Sequence, residues 1–142
     1  MLLNEGNILL SQRFSTKEEA IRKAGELLVK GNYVNEDYIE KMLEREKLST
    51  TFIGNNIAIP HGTSESKNEI LKSGISIIQI PEGVSFGEGV AKVVIGIAGK
   101  ENTHLGLLSN IAVICSEMEN VEKIVKAKTK KEILDLFGEI SL

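Results

Sequence analysis

Of the two histidines in this chain, one stands where chemistry is a better use of it than packing. Residues 54–63 read Gly-Asn-Asn-Ile-Ala-Ile-Pro-His-Gly-Thr, so His61 closes a short β-branched run between Pro60 and Gly62. Proline fixes its own φ and biases the residue before it toward extended backbone, and glycine, with no Cβ, lets another group come close. The pattern predicts an imidazole exposed on a stiff loop. A neutral imidazole is nucleophilic near physiological pH, and one ring nitrogen can be held by a hydrogen bond while the other reacts. The bland alternative is a loop histidine with no role.

The second histidine, His104, follows a polar Lys100-Glu101-Asn102-Thr103 loop and falls in the first turn of a predicted helix. Free N–H donors and positive potential gather at a helix start, and in open α/β sheets such starts lie beside strand ends, where ligands bind. His61 and His104 could therefore converge, with His104 neutral, donating one hydrogen bond and accepting another. The bland reading is a solvated first-turn residue.

Other chemistries are less well supported. Zinc would need three or four ligands, and His61, Glu65, Glu101 and His104 offer no paired-histidine spacing or cysteine cluster, so no metal site is expected. Cys115 lies on an apolar helical face and reads as a small core residue rather than a thiolate nucleophile. Gly87-Glu88-Gly89 precedes a strand and is followed by no Gly-Lys-Ser/Thr, so it reads as a turn or bulge, not a nucleotide loop. The lysines at 123, 126, 128, 130 and 131 alternate with Glu122 and Glu132 and form a solvated face. No serine-histidine-acid arrangement is recognisable.

The elements that must position the histidines follow from periodicity. Residues 7–10 form a short apolar run fit for an edge strand. At Ser15-Thr16-Lys17-Glu18-Glu19 each hydroxyl has a glutamate three residues later, a capping-box signature. Ala20, Ile21, Ala24, Leu27 and Leu28 then recur at helical spacing up to Gly31. Asn35 is the expected cap of a second helix with Ile39, Met42 and Leu43 on its apolar stripe and Arg45, Glu46 and Lys47 in its last turn. A polar Ser49-Thr50-Thr51 loop leads to the histidine segment. Residues 75–80, closed by Pro81-Glu82-Gly83, and residues 93–98 read as strands. Their near-continuous hydrophobicity predicts a sheet covered on both faces. Asn102 or Thr103 is expected to cap a third helix bearing Leu105, Leu108, Ile111, Ala112 and Cys115, and Asn120 and Thr129 to start two more. The predicted fold is α/β: one domain, residues 1–142, with a central mixed sheet sandwiched by helices.

Composition narrows the partners. A chain of 142 residues, 42% hydrophobic and 26% charged, can bury one core without staples. Net charge of −3, two tyrosines, four phenylalanines and no tryptophan give neither a phosphate-binding field nor a base-stacking platform, so nucleic acid is not an expected partner. A single cysteine excludes an internal disulfide and fits a reducing compartment. With no signal-peptide pattern and no apolar run near the roughly 20 residues that span a bilayer, a soluble, cytoplasmic protein without membrane insertion is expected.

Residues 43–63, with the upstream Arg45-Glu46 pair and Pro60-His61-Gly62-Thr63, resemble the enzyme IIA domain of the bacterial phosphoenolpyruvate-dependent sugar phosphotransferase system, mannitol/fructose class. Ile80-Pro81-Glu82-Gly83-Val84-Ser85-Phe86-Gly87, Val94-Ile95-Gly96-Ile97-Ala98 and Glu101-Asn102-Thr103-His104-Leu105 continue the likeness toward the mannitol branch, over essentially the whole chain. The resemblance implies a phosphotransferase component, with no cofactor. In it His61 accepts a phosphoryl group at Nε2 from the phosphocarrier HPr and passes it to a cysteine of enzyme IIB, which serves a membrane IIC transporter. It further implies that Arg45 and His104 stabilise the phosphoryl group, and Gly62 favours mannitol over the fructose branch, where alanine is more usual. Asn55 departs from members that carry an active-site acid there, leaving at most an amide hydrogen bond. Two other classes are a regulatory module of the same fold, in which phosphorylation only switches binding, and a metal-dependent hydrolase. A switch needs the acceptor alone, so His104 beside it favours the relay.

Overall fold

The expected capping box forms at the first helix. Thr16 Oγ1 accepts from the Glu19 N–H at 3.2 Å, and the Glu19 carboxylate accepts from the Thr16 N–H at 3.1 Å. Helix α1 runs Lys17–Lys30 and buries Ala20, Ile21, Ala24, Leu27 and Leu28, the predicted stripe. The structure is a computed structural model of the chain and describes residues 2–100 and 103–138.

Among the described residues the strands are β1 Ile8–Leu9, β2 Phe52–Gly54, β3 Ile57–Ala58, β4 Gly74–Ser85 and β5 Val90–Ala98. They form one mixed sheet in the order β1-β4-β5-β3-β2, with β1 parallel to β4, β4 antiparallel to β5, and β3 parallel to β5. Helices α2 Asp37–Leu48, α3 His104–Ser116, α4 Met118–Lys126 and α5 Lys130–Phe137 complete the fold.

Alternation along β4 explains the two covered faces. Ile78 and Ile80 pack with the buried side chains of α1 and α2, and Ile75 and Ile77 with those of α3, α4 and α5. Even the polar residues obey the period: Ser76 Oγ donates to the Ala24 carbonyl of α1 at 2.9 Å, and Gln79 Nε2 donates to the Ile124 and Ala127 carbonyls at the end of α4. The expected α/β sandwich is therefore the observed fold.

Several local expectations are corrected. β4 is not closed by Pro81-Glu82-Gly83 but runs on to Ser85, because its register against β5 shifts between Gln79 and Val84. At such an irregularity a proline need not supply a ladder donor. Asn35 does not cap α2 with its side chain. Its backbone N–H is committed to the Glu69 carbonyl, beside the Val34–Ile70 bridge. Asn120 does not start α4, since its Nδ2 reaches back to the Ile114 carbonyl and Glu117 is the cap. Thr129 does cap α5, accepting from the Glu132 N–H. The β2–β3 hairpin escaped prediction; its turn is made by Asn55 and Asn56, at φ 50° and 65°. Two successive positive φ values define the tight turn that suits strand twist. The Gly87 turn does join β4 to β5, with Gly87 at φ 90° and the Phe86 N–H bonded to the Gly89 carbonyl.

The Gln79 bonds generate a stability prediction. Gln79→Leu keeps the side-chain bulk but leaves two buried carbonyls without their donor and the Ser11 N–H without its acceptor. Each orphaned group costs about 1–3 kcal/mol, partly recovered by water near the helix end, so urea denaturation should show a loss of about 2–4 kcal/mol. A change under about 0.5 kcal/mol, the range of an ordinary surface substitution, would show that these bonds do not hold α4 to the sheet.

Candidate functional site

Strand β5 carries the histidine segment. The parallel register Ile57–Val93 and Ala58–Val94 continues past the end of β3 to an isolated bridge between His61 and Ile97, with the Ile97 N–H donating to the Pro60 carbonyl at 2.9 Å. His61 is consequently not on an exposed loop, as the sequence suggested, but only 9% exposed at the end of the sheet. Its Nδ1 lies 2.9 Å from the Ile59 carbonyl. A carbonyl can only accept, so Nδ1 carries the proton and Nε2 keeps its lone pair.

His104 is the first residue of α3, and its ring centroid lies 5.4 Å from that of His61, the planes tilted by 51°. Thr103 precedes it without a side-chain cap; its hydroxyl instead donates to the Lys100 carbonyl and pairs with Ser73 Oγ. Those bonds fasten the start of α3 beside the start of β4. Gly99 permits the approach, since a Cβ there would fall 2.3 Å from the His104 Cα. Asn102, the other proposed cap, and Glu101 lie outside the described residues.

Arg45 and Glu46 close α2 in different ways. Arg45 Nη1 donates to the Ser49 carbonyl at 2.8 Å and to its hydroxyl at 3.2 Å, holding the guanidinium half-buried at the helix end. Glu46 is 5% exposed, and its carboxylate accepts from the Thr51 N–H and hydroxyl and from Lys17 Nζ. Thr51 in turn accepts the Ile59 N–H at 3.0 Å, so a continuous chain of bonds runs from Glu46 to the residue whose carbonyl holds the His61 ring. Burial pushes the Glu46 carboxyl up, but hydrogen bonds from Thr51, Thr50 and Lys17 outweigh it and hold the group below its ordinary range. The sequence offered Glu46 only as a last-turn residue of the Arg45-Glu46 pair, with no sign that it is buried.

A cleft of about 370 Å³ opens beside the ring pair, lined by Tyr38, Gly62, Ser66, Lys67, Ile70, Leu105 and His104 among others. Burial lowers the His61 pKa, and the positive fields of Arg45 and His104 lower it further against the opposing Ile59 bond and Glu46. For His104 burial again leads, followed by Lys67 and Arg45. Lys67, from the short 3₁₀ turn Lys67–Glu69, was not anticipated by the sequence reading. Cys115 is buried on α3, and burial raises its thiol to about 11, so it is a packed core residue there. Asn55 donates to the Cys115 and Ser116 carbonyls at the C-terminal end of α3. A helix of 13 residues puts that end about 20 Å from His104. Of the zinc set, His61 and His104 come together while Glu65 is exposed; among the described residues no three His, Cys, Asp or Glu gather to hold an ion.

The sequence matches the family described as "Phosphoenolpyruvate-dependent sugar phosphotransferase system, EIIA 2" over residues 1–140. The chain belongs to this family. As an EIIA component it is a phosphotransferase, and it is 60% identical to the mannitol-specific phosphotransferase enzyme IIA component of Bacillus subtilis over 99% of each chain. The corresponding component of Geobacillus stearothermophilus is 55% identical over 99% of this chain and 97% of that one. The crystal structure of IIA mannitol from Escherichia coli superposes with a TM-score of 0.90 at 43% identity, covering 96% of this chain and 99% of that one. Enzyme IIA in the Escherichia coli complex of enzyme IIA Mtl with phosphorylated enzyme IIB Mtl gives 0.92 at 42% identity, covering 97% and 98%.

The electrostatics of this EIIA site give a prediction about its histidines. Both rings should titrate below the ordinary imidazole value of about 6.5. At neutral pH His61 should be a single Nδ1–H tautomer by ring-nitrogen NMR. As pH falls through the depressed folded value, Nε2 takes a proton and its free lone pair is lost. The unfolded chain takes that proton first, so the ring's contribution to stability is present above about 6.5 and lost as pH falls through the folded pKa. A His61 midpoint at or above 6.5, or a mixed tautomer, would contradict this assignment.

Proposed function

We propose that this chain relays phosphoryl groups in mannitol uptake, taking them from phosphorylated HPr on His61 and passing them to a cysteine of enzyme IIB, which serves a membrane IIC transporter. The observation that carries the reading is the ring pair: His61 has its Nδ1 committed to the Ile59 carbonyl, which leaves Nε2 as the nitrogen to react, with His104 beside it. Its mannitol-specific relatives, and the complex of a related IIA with phosphorylated IIB, support the sugar and the onward partner. Among the described residues no helix is long and apolar enough to cross a membrane, which suits a partner working outside the bilayer in the cytoplasm.

The chemistry follows from the atoms present. The Nε2 lone pair attacks phosphorus as the N–P bond to HPr breaks, and HPr leaves with the bonding electron pair on its own imidazole. Nδ1–H remains on the Ile59 carbonyl throughout, so phosphorylated His61 carries a proton on its other nitrogen. When the IIB thiolate attacks, the N–P electrons return to Nε2 and His61 departs as a neutral imidazole, a far better leaving group than an imidazolate. Phosphoryl transfer passes through a loose transition state with charge on the equatorial oxygens, so catalysis is mainly alignment and electrostatic stabilisation. The positive fields of Arg45 and Lys67, which disfavour a protonated ring, favour an anionic phosphoryl group by the same sign. His104 adds a hydrogen-bond donor without adding a further fixed charge to those of Arg45 and Lys67.

Incubation with phosphoenolpyruvate, enzyme I and HPr tests these roles. His61→Ala should accept no phosphate. Arg45→Ala should remain folded and transfer about 10²-fold more slowly, as when one preorganised donor is removed, with Arg45→Lys recovering part of the loss. His104→Gln should retain more transfer than His104→Ala, both still labelled at His61. Full labelling of His61→Ala would overturn the acceptor assignment, and wild-type rates in Arg45→Ala or His104→Ala would make that residue a bystander.

A further inference from the structure

One hydroxyl joins α2 to the backbone on both sides of His61. Tyr38, in the first turn of α2 and 2% exposed, donates through Oη to the Ile97 carbonyl at 2.8 Å and accepts the Gly62 N–H at 2.8 Å. Both partners belong to the rung that holds His61: Gly62 follows it in sequence, and Ile97 pairs with it from β5. In an uninterrupted parallel ladder the Ile97 N–H reaches the carbonyl before His61 and the Ile97 carbonyl receives the N–H after it. The first bond is present, from Ile97 to Pro60 at 2.9 Å. At the second, the phenol stands between donor and acceptor.

This insertion has three structural consequences. The Gly62 N–H is already occupied and is not an open donor toward a phosphoryl oxygen. Arg45 lies seven residues beyond Tyr38 on the same helix, two turns along the same face, so the hydroxyl that fixes the His61 backbone also fixes the helix presenting Arg45. Only glycine suits position 62, because a Cβ would meet Tyr38 Cε1 and Ser66 Oγ at 2.5 Å each. Burial, against the smaller opposing effect of the Gly62 bond, raises the phenol to about 12, so it keeps its proton for Ile97 throughout the physiological range.

We propose that Tyr38 is a positioning residue for phosphoryl transfer: its hydroxyl, inserted between the Gly62 N–H and the Ile97 carbonyl, holds His61 in register with His104 and Arg45. The inference rests on His61 being the phosphoryl acceptor. A displacement of about 1 Å at a reacting group can cost about 10²-fold in rate without weakening binding, which sets the expected effect of losing this bridge.

Tyr38→Phe keeps the ring and removes only the hydroxyl. It should still be labelled at His61, with kcat for transfer from phosphorylated HPr lowered about 10²-fold, KM little changed, and a His61 ring that is no longer a single tautomer by nitrogen NMR. Ser76→Ala serves as the comparison, because it removes another buried bond, from β4 to α1, and should transfer at the wild-type rate. In the wild-type protein the Gly62 amide should exchange slowly both before and after phosphorylation. Wild-type kcat and tautomer in Tyr38→Phe, an equal loss in Ser76→Ala, or a Gly62 amide that exchanges freely would each overturn the proposal. A freely exchanging Gly62 amide would overturn the proposal even if Tyr38→Phe fails to fold. Absence of label at His61 in the wild-type chain would instead defeat the underlying acceptor reading.

Discussion

Strand β5 pairs with β4 along one edge and with β3 along the other, and its last residues continue the second pairing into the backbone of His61. His61, the proposed acceptor, is thus built as an extension of the sheet's central strand, although the segment bearing it is not itself a long strand. Val93, Val94, Ile95 and Ile97 of β5 are fully buried, with helices on both sides. Moving the histidine would therefore require moving the core. Helices α2 and α3 deliver Arg45 and His104 to the same end of this frame, which is how groups distant in sequence reach a common site.

Burial gives the histidine its useful state. In water an imidazole is partly protonated near neutrality and both neutral tautomers exchange; a protonated ring has no lone pair, and a mixed tautomer divides its nucleophilicity. Desolvation and nearby cations remove the first difficulty, and the Ile59 carbonyl removes the second. The Ile59 backbone is itself held through its N–H by the Glu46–Thr51–Ile59 chain, so the buried carboxylate acts several bonds away from the His61 ring. Burial of Glu46 opposes its charge, but its hydrogen bonds outweigh that cost, so the carboxylate both fixes geometry and favours the folded state at neutral pH.

The sequence revealed the fold where one local rule determined the outcome. The Thr16–Glu19 capping box, the α1 stripe and the two central apolar runs each have a single good solution, and the covered sheet follows from them. Boundaries were missed where a tertiary bond overrode a local preference. Asn120 has the chemistry of a cap but bonds to Ile114, Asn35 is drawn into a contact with Glu69, and Pro81 survives inside β4 because the register slips around it. At the site, Pro60, His61 and Gly62 were distinctive as residue types, yet the reason for Gly62 was invisible: it makes room for Tyr38, 24 positions away, rather than for a group approaching the ring. The burial of His61 was hidden for the same reason, since it depends on pairing with Ile97 across the sheet.

In the proposed relay the Ile59 carbonyl fixes the His61 tautomer and so decides which nitrogen carries phosphate. Nitrogen and phosphorus NMR of the chain phosphorylated by HPr tests it most directly. The phosphoryl group should be on Nε2 of His61, with Nδ1 still protonated and His104 unmodified. Phosphate on Nδ1 of His61, or on either nitrogen of His104, would contradict the account.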